Sequence, residues 1–251
     1  QGYNIIFGTT FGYIDAMAEM AEEYPDVIFL HCSGYLNNDT NFANYFGKMY
    51  QPRYLSGLAA GAMTDSNKIG YVAAFPIPEV IRGINAFAAG VNEVNPEATV
   101  EVVWTFTWFG PEAETQAANA LLEKGADVLA QHQDSTATGL AAEAAGAKWI
   151  SYNTAYGQDS APEAFVTAPV WDWGPYYVNI VEQIIDGTFT TESYWGGMET
   201  GLVSLYDLSS DVPSDIATLI AEKTEAIIDG TLEVEIVEEE FISNVIGTVN
   251  P

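Results

Sequence analysis

Short apolar runs alternate along the chain with stretches whose apolar residues recur at helical spacing. Residues 3–7, 27–32, 68–74, 99–105, 128–132, 149–153 and 164–170 read as strands, and 195–205 has strand character. Between them, 13–23, 44–63, 78–94, 111–124, 136–145, 174–185 and 213–229 read as helices. Proline opens the helix at Pro78, and glycine comes after the last turn at Lys124-Gly125 and Ala145-Gly146, as helix termini prefer. Gly57, Ala59, Ala60 and Gly61 give the helix over 44–63 a small-residue stripe suited to close packing. Strand and helix repeated in this way predict an α/β fold of parallel sheets covered by helices on both faces. The chain is long enough for two doubly wound lobes, expected at 1–66 with 162–192 and at 67–161 with 193–251. The loop Phe75-Pro76-Ile77-Pro78 is expected near the hinge between them.

Charge narrows the functional classes. The chain carries 35 acidic residues against 7 Lys and Arg, a formal net charge of −28. Such a surface repels nucleic acid and anionic lipid headgroups, which are bound through Lys and Arg. The acids are spread along the chain apart from a cluster over 233–240, which reads as a solvated face. An excess of this size also suits a saline medium, where screening relieves self-repulsion. Cys32, the single cysteine, lies in the apolar run Val27-Ile28-Phe29-Leu30-His31-Cys32 and reads as a core thiol. No apolar stretch reaches the roughly 20 residues of a membrane span.

In open α/β sheets ligands bind beyond the carboxyl ends of the strands. The loops there contain Phe11 and Tyr13, then Thr105-Phe106-Thr107-Trp108-Phe109, Gln133-Asp134-Ser135, Tyr152-Asn153-Thr154 and Trp171-Asp172-Trp173. They offer aromatic faces and uncharged or acidic hydrogen-bonding groups, with almost no cations. That set suits a planar uncharged heterocycle rather than a phosphate or carboxylate. Enzyme signatures are weak: the chain has no phosphate-binding loop, no Gly-x-Gly-x-x-Gly and no Gly-x-Ser-x-Gly elbow. His132, at a strand end beside Asp134, reads as a structural group with general-base chemistry as the alternative. The acidic run and the two histidines do not form a metal-ligand spacing, and no cofactor is expected.

Several blocks resemble the basic membrane protein family, the substrate-binding lipoproteins of ABC importers. They are 5–13 (IIFGTTFGY), Tyr45-Phe46-Gly47 with Arg53-Tyr54-Leu55-Ser56-Gly57, and 68–73 (KIGYVA) followed by 76–87 (PIPEVIRGINAF). Gly125-Ala126-Asp127-Val128 through His132 and Trp173-Gly174-Pro175-Tyr176-Tyr177 belong to the same likeness. The resemblance implies a type I periplasmic-binding-protein fold that closes at a hinge on a purine base or nucleoside, with aromatic rings on either side. It implies that Trp108 stacks on the ligand, that Asp134 and Ser135 contact it, and that Asn153 and Trp171 lie where nucleoside receptors hold ribose. An Asn and a Trp there, in place of the family's Asp and Lys, favour a free base such as adenine. The resemblance also implies a further strand, helix, strand and helix ahead of residue 1, so the first lobe is expected to be incomplete. An ABC permease is the implied partner and an extracytoplasmic place the implied location, with any lipid anchor outside this chain. Two other readings stay open: the sensing domain of a regulator, which needs a DNA-binding helix-turn-helix upstream, and a nucleoside-processing enzyme.

Overall fold

The computed structural model describes residues 2–249. In chain order the elements begin with β1 (Ile5–Gly8), α1 (Ile14–Glu23), β2 (Ile28–Cys32), β3 (Phe42–Gly47), α2 (Tyr50–Met63), β4 (Lys68–Ala73) and α3 (Pro78–Val94). Next come β5 (Thr99–Trp104), α4 (Pro111–Glu123), β6 (Val128–His132), α5 (Ala137–Ala144), β7 (Lys148–Ile150), α6 (Gly157–Ser160), β8 (Phe165–Thr167) and β9 (Pro169–Trp171). The chain ends with α7 (Gly174–Ile185), β10 (Tyr194–Gly196), β11 (Val203–Leu205), α8 (Ser214–Ile228) and β12 (Val245–Ile246). Short 3-10 turns lie at Phe11–Tyr13 and Met198–Thr200.

The expected helix over 44–63 is two elements, β3 and α2. Asn38 accounts for the difference: its Oδ1 accepts the backbone N–H groups of Thr40, Asn41 and Phe42 and launches an extended segment. The expected strand over 164–170 is likewise two short strands, and 195–205 divides into β10, a 3-10 turn and β11.

By compactness the chain forms two units, Gln1–Lys48 with Asp172–Leu202 and Met49–Trp171 with Val203–Pro251. These do not match the expected lobe boundaries at 49–66, 162–171 and 193–202. Helix α2 belongs with the second unit because it lies backbone to backbone on α3. A Cβ on Gly57 runs into the Phe87 carbonyl, and one on Gly90 into the Tyr54 carbonyl, so only glycine allows the approach. The proline loop before α3 lies inside the second unit, whereas the chain changes units at 48–49, 171–172 and 202–203.

In the first unit, four strands run parallel in the order β1-β2-β3-β10. Met17 and Ala21 of α1 pack on Phe29 and Phe42 of the sheet. The buried Asn41 side chain closes the end of α1 by donating to the carbonyls of Ala21, Tyr24 and Val27 at 2.8–3.1 Å. An aromatic cluster fills the other part of this unit: Tyr45 stacks on Tyr176 at 4.7 Å, and Trp173 stacks on Tyr177 at 6.0 Å.

In the second unit, six parallel strands run in the order β12-β5-β4-β6-β7-β8, and β9 pairs antiparallel with β11. Val72, Leu121, Leu129, Trp149 and Phe165 centre its core. The segment after α8 is strapped along α3. Asn85 donates to the carbonyls of Val237 and Glu240 and accepts from the N–H of Ile242. Asn244 donates to Ala88, and Arg82 pairs with Glu238 at 2.6 Å. This strap delivers β12 to the edge of β5.

Candidate functional site

In an open α/β sheet the strand order marks where a ligand crevice can form, and the second unit's order marks one candidate place. From β4 the chain moves to β5 on one side and then returns across β4 to β6 on the other. Adjacent crossovers that leave in opposite directions open a gap at the carboxyl ends of β4 and β6. Phe75 comes after β4 there, Gln133-Asp134-Ser135 come after β6, and the neighbouring ends of β5 and β7 supply Trp108 and Tyr152-Asn153.

Backbone bonds fold these loops together. Thr105 and Phe106 donate to the carbonyls of Ala73 and Ala74 at 2.8 and 2.9 Å. Phe106 takes a left-handed φ of 55°, unusual for an aromatic residue, and so bends the loop after β5. The Trp108 carbonyl then accepts the Asp134 N–H at 3.0 Å. The half-buried Trp108 ring lies 5.1 Å from Phe75 and 6.0 Å from the His132 ring, centroid to centroid.

Polar groups continue the rim. Asn153 Nδ2 donates to Asp134 Oδ1 at 2.7 Å, and the Trp171 indole N–H donates to Asn153 Oδ1 at 3.1 Å. The same indole also hydrogen-bonds the Tyr152 hydroxyl. Four of the sequence-predicted residues, Trp108, Asp134, Asn153 and Trp171, therefore form one connected series. Ser135 stands beside them, but its hydroxyl donates inward to the buried Glu114 and accepts the Ala137 N–H at the start of α5. Phe11 and Tyr13 belong to the first unit, on the 3-10 turn after β1, where Tyr13 is exposed and Phe11 half-buried. The Thr10 carbonyl behind them accepts from Tyr13 N–H at 3.1 Å and from His31 Nε2 at 2.8 Å.

Beneath the rim lies a buried charged group that sequence reasoning passed over. The Arg53 side chain, on α2, donates to the Tyr71 hydroxyl and to the Gln131 carbonyl. Its guanidinium carbon sits 4.1 Å from the centre of the Tyr152 ring, a cation–π distance. His132 packs on the same ring at 4.7 Å, and its Nε2 lies 3.4 Å from a Glu79 carboxylate oxygen. Burial, with Arg53 and Arg82 adding to it, pushes the His132 pKa well below its usual value, so the ring is neutral at pH 7. Burial raises the Glu79 carboxyl against the pull of the same arginines. It also pushes the Tyr71 hydroxyl up to about 12. Arg53 is one of only 7 cations in the chain and sits in an otherwise uncharged helix, a signal that its position is special.

The arrangement can present an aromatic face and a carboxylate oxygen to a planar guest. Asp134 Oδ1 is held by Asn153, whereas Oδ2 makes no hydrogen bond to the described residues. Asp134 lies exposed at the rim, yet partial desolvation by its neighbours raises its carboxyl, the Asn153 bond opposes this and Glu114 adds to it. Among the described residues, no group of three or more His, Cys, Asp or Glu is placed to hold a metal ion. Among them too, no helix is long and apolar enough to cross a membrane.

The model of the Bmp family, described as PnrA-like ABC transporter substrate-binding proteins, matches residues 1–237. A provisionally named ABC transporter glucose-binding protein of Haloferax volcanii is 46% identical over 92% of this chain and 59% of its own length. A purine-binding protein of Brucella abortus is 40% identical over 90% of this chain and 63% of its own. The chain thus spans about six-tenths of the length of these relatives. Among solved structures, an ABC transporter solute-binding protein of Conexibacter woesei superposes with a TM-score of 0.73 at 25% identity, covering 94% of this chain and 80% of that one. The parallel α/β architecture is that of type I periplasmic binding proteins, and the chain belongs to the Bmp family of PnrA-like ABC transporter substrate-binding proteins.

Proposed function

We propose that the chain is the solute-capturing part of an ABC importer and that its ligand is a purine base or purine nucleoside, adenine-like bases being preferred. The observation that carries this reading is that Trp108 and Asp134, joined by the backbone bond from Asp134 N–H to the Trp108 carbonyl at 3.0 Å, come together at the gap between β4 and β6. A purine offers a flat face for the first and N–H donors for the second. The purine-binding name of the Brucella abortus relative supports the same class. Among the described residues the crevice presents no free cation, since Arg53 lies buried beneath the rim, so a phosphorylated ligand is disfavoured. An ABC permease is the proposed partner and the extracytoplasmic side the proposed place, by lipid anchor or free. Chemistry on the ligand is not part of this proposal: the buried, neutral His132 faces Glu79 and aromatic rings rather than an open nucleophile.

The glucose-binding name of the Haloferax volcanii relative favours a second reading, a sugar stacked on the same tryptophan. Thermal unfolding and tryptophan fluorescence with adenine, guanine, hypoxanthine, their nucleosides and glucose separate the two. Stabilisation and quenching by a purine, with the purine recovered unchanged, is the expected result. Response to glucose alone transfers the assignment to sugars, and release of free base from a nucleoside transfers it to an enzyme.

A further inference from the structure

We infer that Asn153 is a positioning residue rather than a ligand contact: clamped by Trp171, it fixes the Asp134 carboxylate so that Oδ2 selects ligands presenting an N–H donor. This rests on the ligand reading above and names the atom that would discriminate.

Both ends of the Asn153 side chain are already spent. Its Nδ2 donates to Asp134 Oδ1 at 2.7 Å, and its Oδ1 accepts from the Trp171 indole at 3.1 Å. The indole bond also assigns the amide, because an oxygen must face an N–H and the NH₂ must then face the carboxylate. The backbone repeats the clamp: Asn153 forms an isolated parallel bridge with Val170, and its carbonyl accepts the Trp171 N–H at 3.4 Å. Asn153 holds a left-handed φ of 70°, which Asn tolerates better than other residues with side chains. Asp134 is tied from its other side by its own N–H to the Trp108 carbonyl. The carboxylate is therefore held on its Oδ1 side and by its backbone, and its Oδ2 makes no hydrogen bond to the described residues. A fixed acceptor of this kind rewards a ligand edge with an amino or ring N–H and penalises an edge of acceptors, whose lone pairs would face it. Ribose hydroxyls find no free amide at Asn153.

The electrostatic consequence can be tracked in the unliganded protein. Donation from Asn153 stabilises the charged carboxylate, against partial desolvation and against Glu114 from α4, with Glu79 of α3 and the Tyr152 hydroxyl also within the local field. Removing the donor raises the Asp134 pKa. Asn153→Gly deletes the side chain without straining the left-handed backbone. Trp171→Phe keeps an aromatic ring but removes the N–H that orients the amide, and serves as the second variant. Carboxyl ¹³C titration of Asp134 in wild type and both variants is expected to show an upward shift in N153G and a smaller one in W171F. Calorimetry with adenine at pH 7 is expected to show affinity lower by about tenfold in N153G, in keeping with loss of a charge-assisted bond. For the wild type, binding is expected to be weaker for unsubstituted purine than for adenine. Identical Asp134 midpoints in all three proteins overturn the inference, as does unaltered adenine affinity in N153G. If no purine binds wild type while the midpoints shift as expected, the ligand assignment fails and the positioning role stands.

Discussion

Trp108 and His132 sit 6.0 Å apart, ring to ring, yet they answer to different forces. Trp108 is only half-buried, so its ring is available to a guest. Trp108→Ala is expected to lower purine affinity about 10- to 100-fold, the range for losing a central aromatic anchor, while the melting temperature without ligand changes little. Calorimetry and thermal melts read the two effects separately. His132 is enclosed and held neutral, so its folded pKa lies below the ordinary 6.5. Above that value both folded and unfolded chains carry a neutral ring, and the group contributes its full stability. As pH falls below it, the unfolded chain takes up a proton that the folded one refuses, and stability drops. Glu79 and Asp134 have raised pKa values and act in the opposite sense, so a bare pH profile mixes the three. Urea unfolding of wild type and His132→Gln between pH 7 and about pH 5 isolates the histidine: the variant is expected to lose less stability on acidification.

The α2–α3 pair holds the second unit together through backbone contact. Gly57→Val places branched carbons against the Phe87 carbonyl and is expected to cost about 1–3 kcal/mol, or more if the helices cannot part. A fall in melting temperature measures it; an unchanged melt means the helices separate freely. This element was half legible in the sequence: the small-residue stripe of α2 was visible, but not its partner, because helix pairing is a long-range fact. Helix α3 was legible to the residue from Pro78 to Val94, since proline opens it and its apolar face repeats without interruption. Strand β3 was hidden because Phe42-Ala43-Asn44-Tyr45-Phe46 is a short apolar run that suits either state, and only the Asn38 turn decides between them. At the site, the aromatics after β5 and the polar residues after β6 and β7 were legible because a parallel strand carries its ligand-facing residues just past its carboxyl end. Arg53 and Glu79 were not: Arg53 reaches the crevice floor from α2, which follows no strand of this sheet, and Glu79, in the first turn of α3, is the acid any helix N-terminus favours.

For the whole molecule the charge excess dominates. Five of the 7 cations pair with carboxylates, namely Lys48, Arg82, Lys124, Lys148 and Lys223, and the remainder still leaves a net charge of −28. Salt weakens those pairs, but exposed pairs contribute only about 0–1 kcal/mol each. Shortening the screening length from about 10 Å to about 3 Å relieves repulsion among many more acids. The melting temperature is therefore expected to rise between about 0.1 and 1 M KCl; a fall would mean that the pairs outweigh the repulsion. The strap that carries β12 to the edge of β5 has a further consequence, for biosynthesis. During synthesis the four described strands of the first sheet are all made once Gly196 has emerged, but the outer edge of β5 waits for Val245 and Ile246. Through that interval a strand with unpaired N–H and C=O groups is open to other nascent chains. A message truncated after α8 is expected to yield an aggregation-prone product even though every described helix and every described strand but β12 is already made.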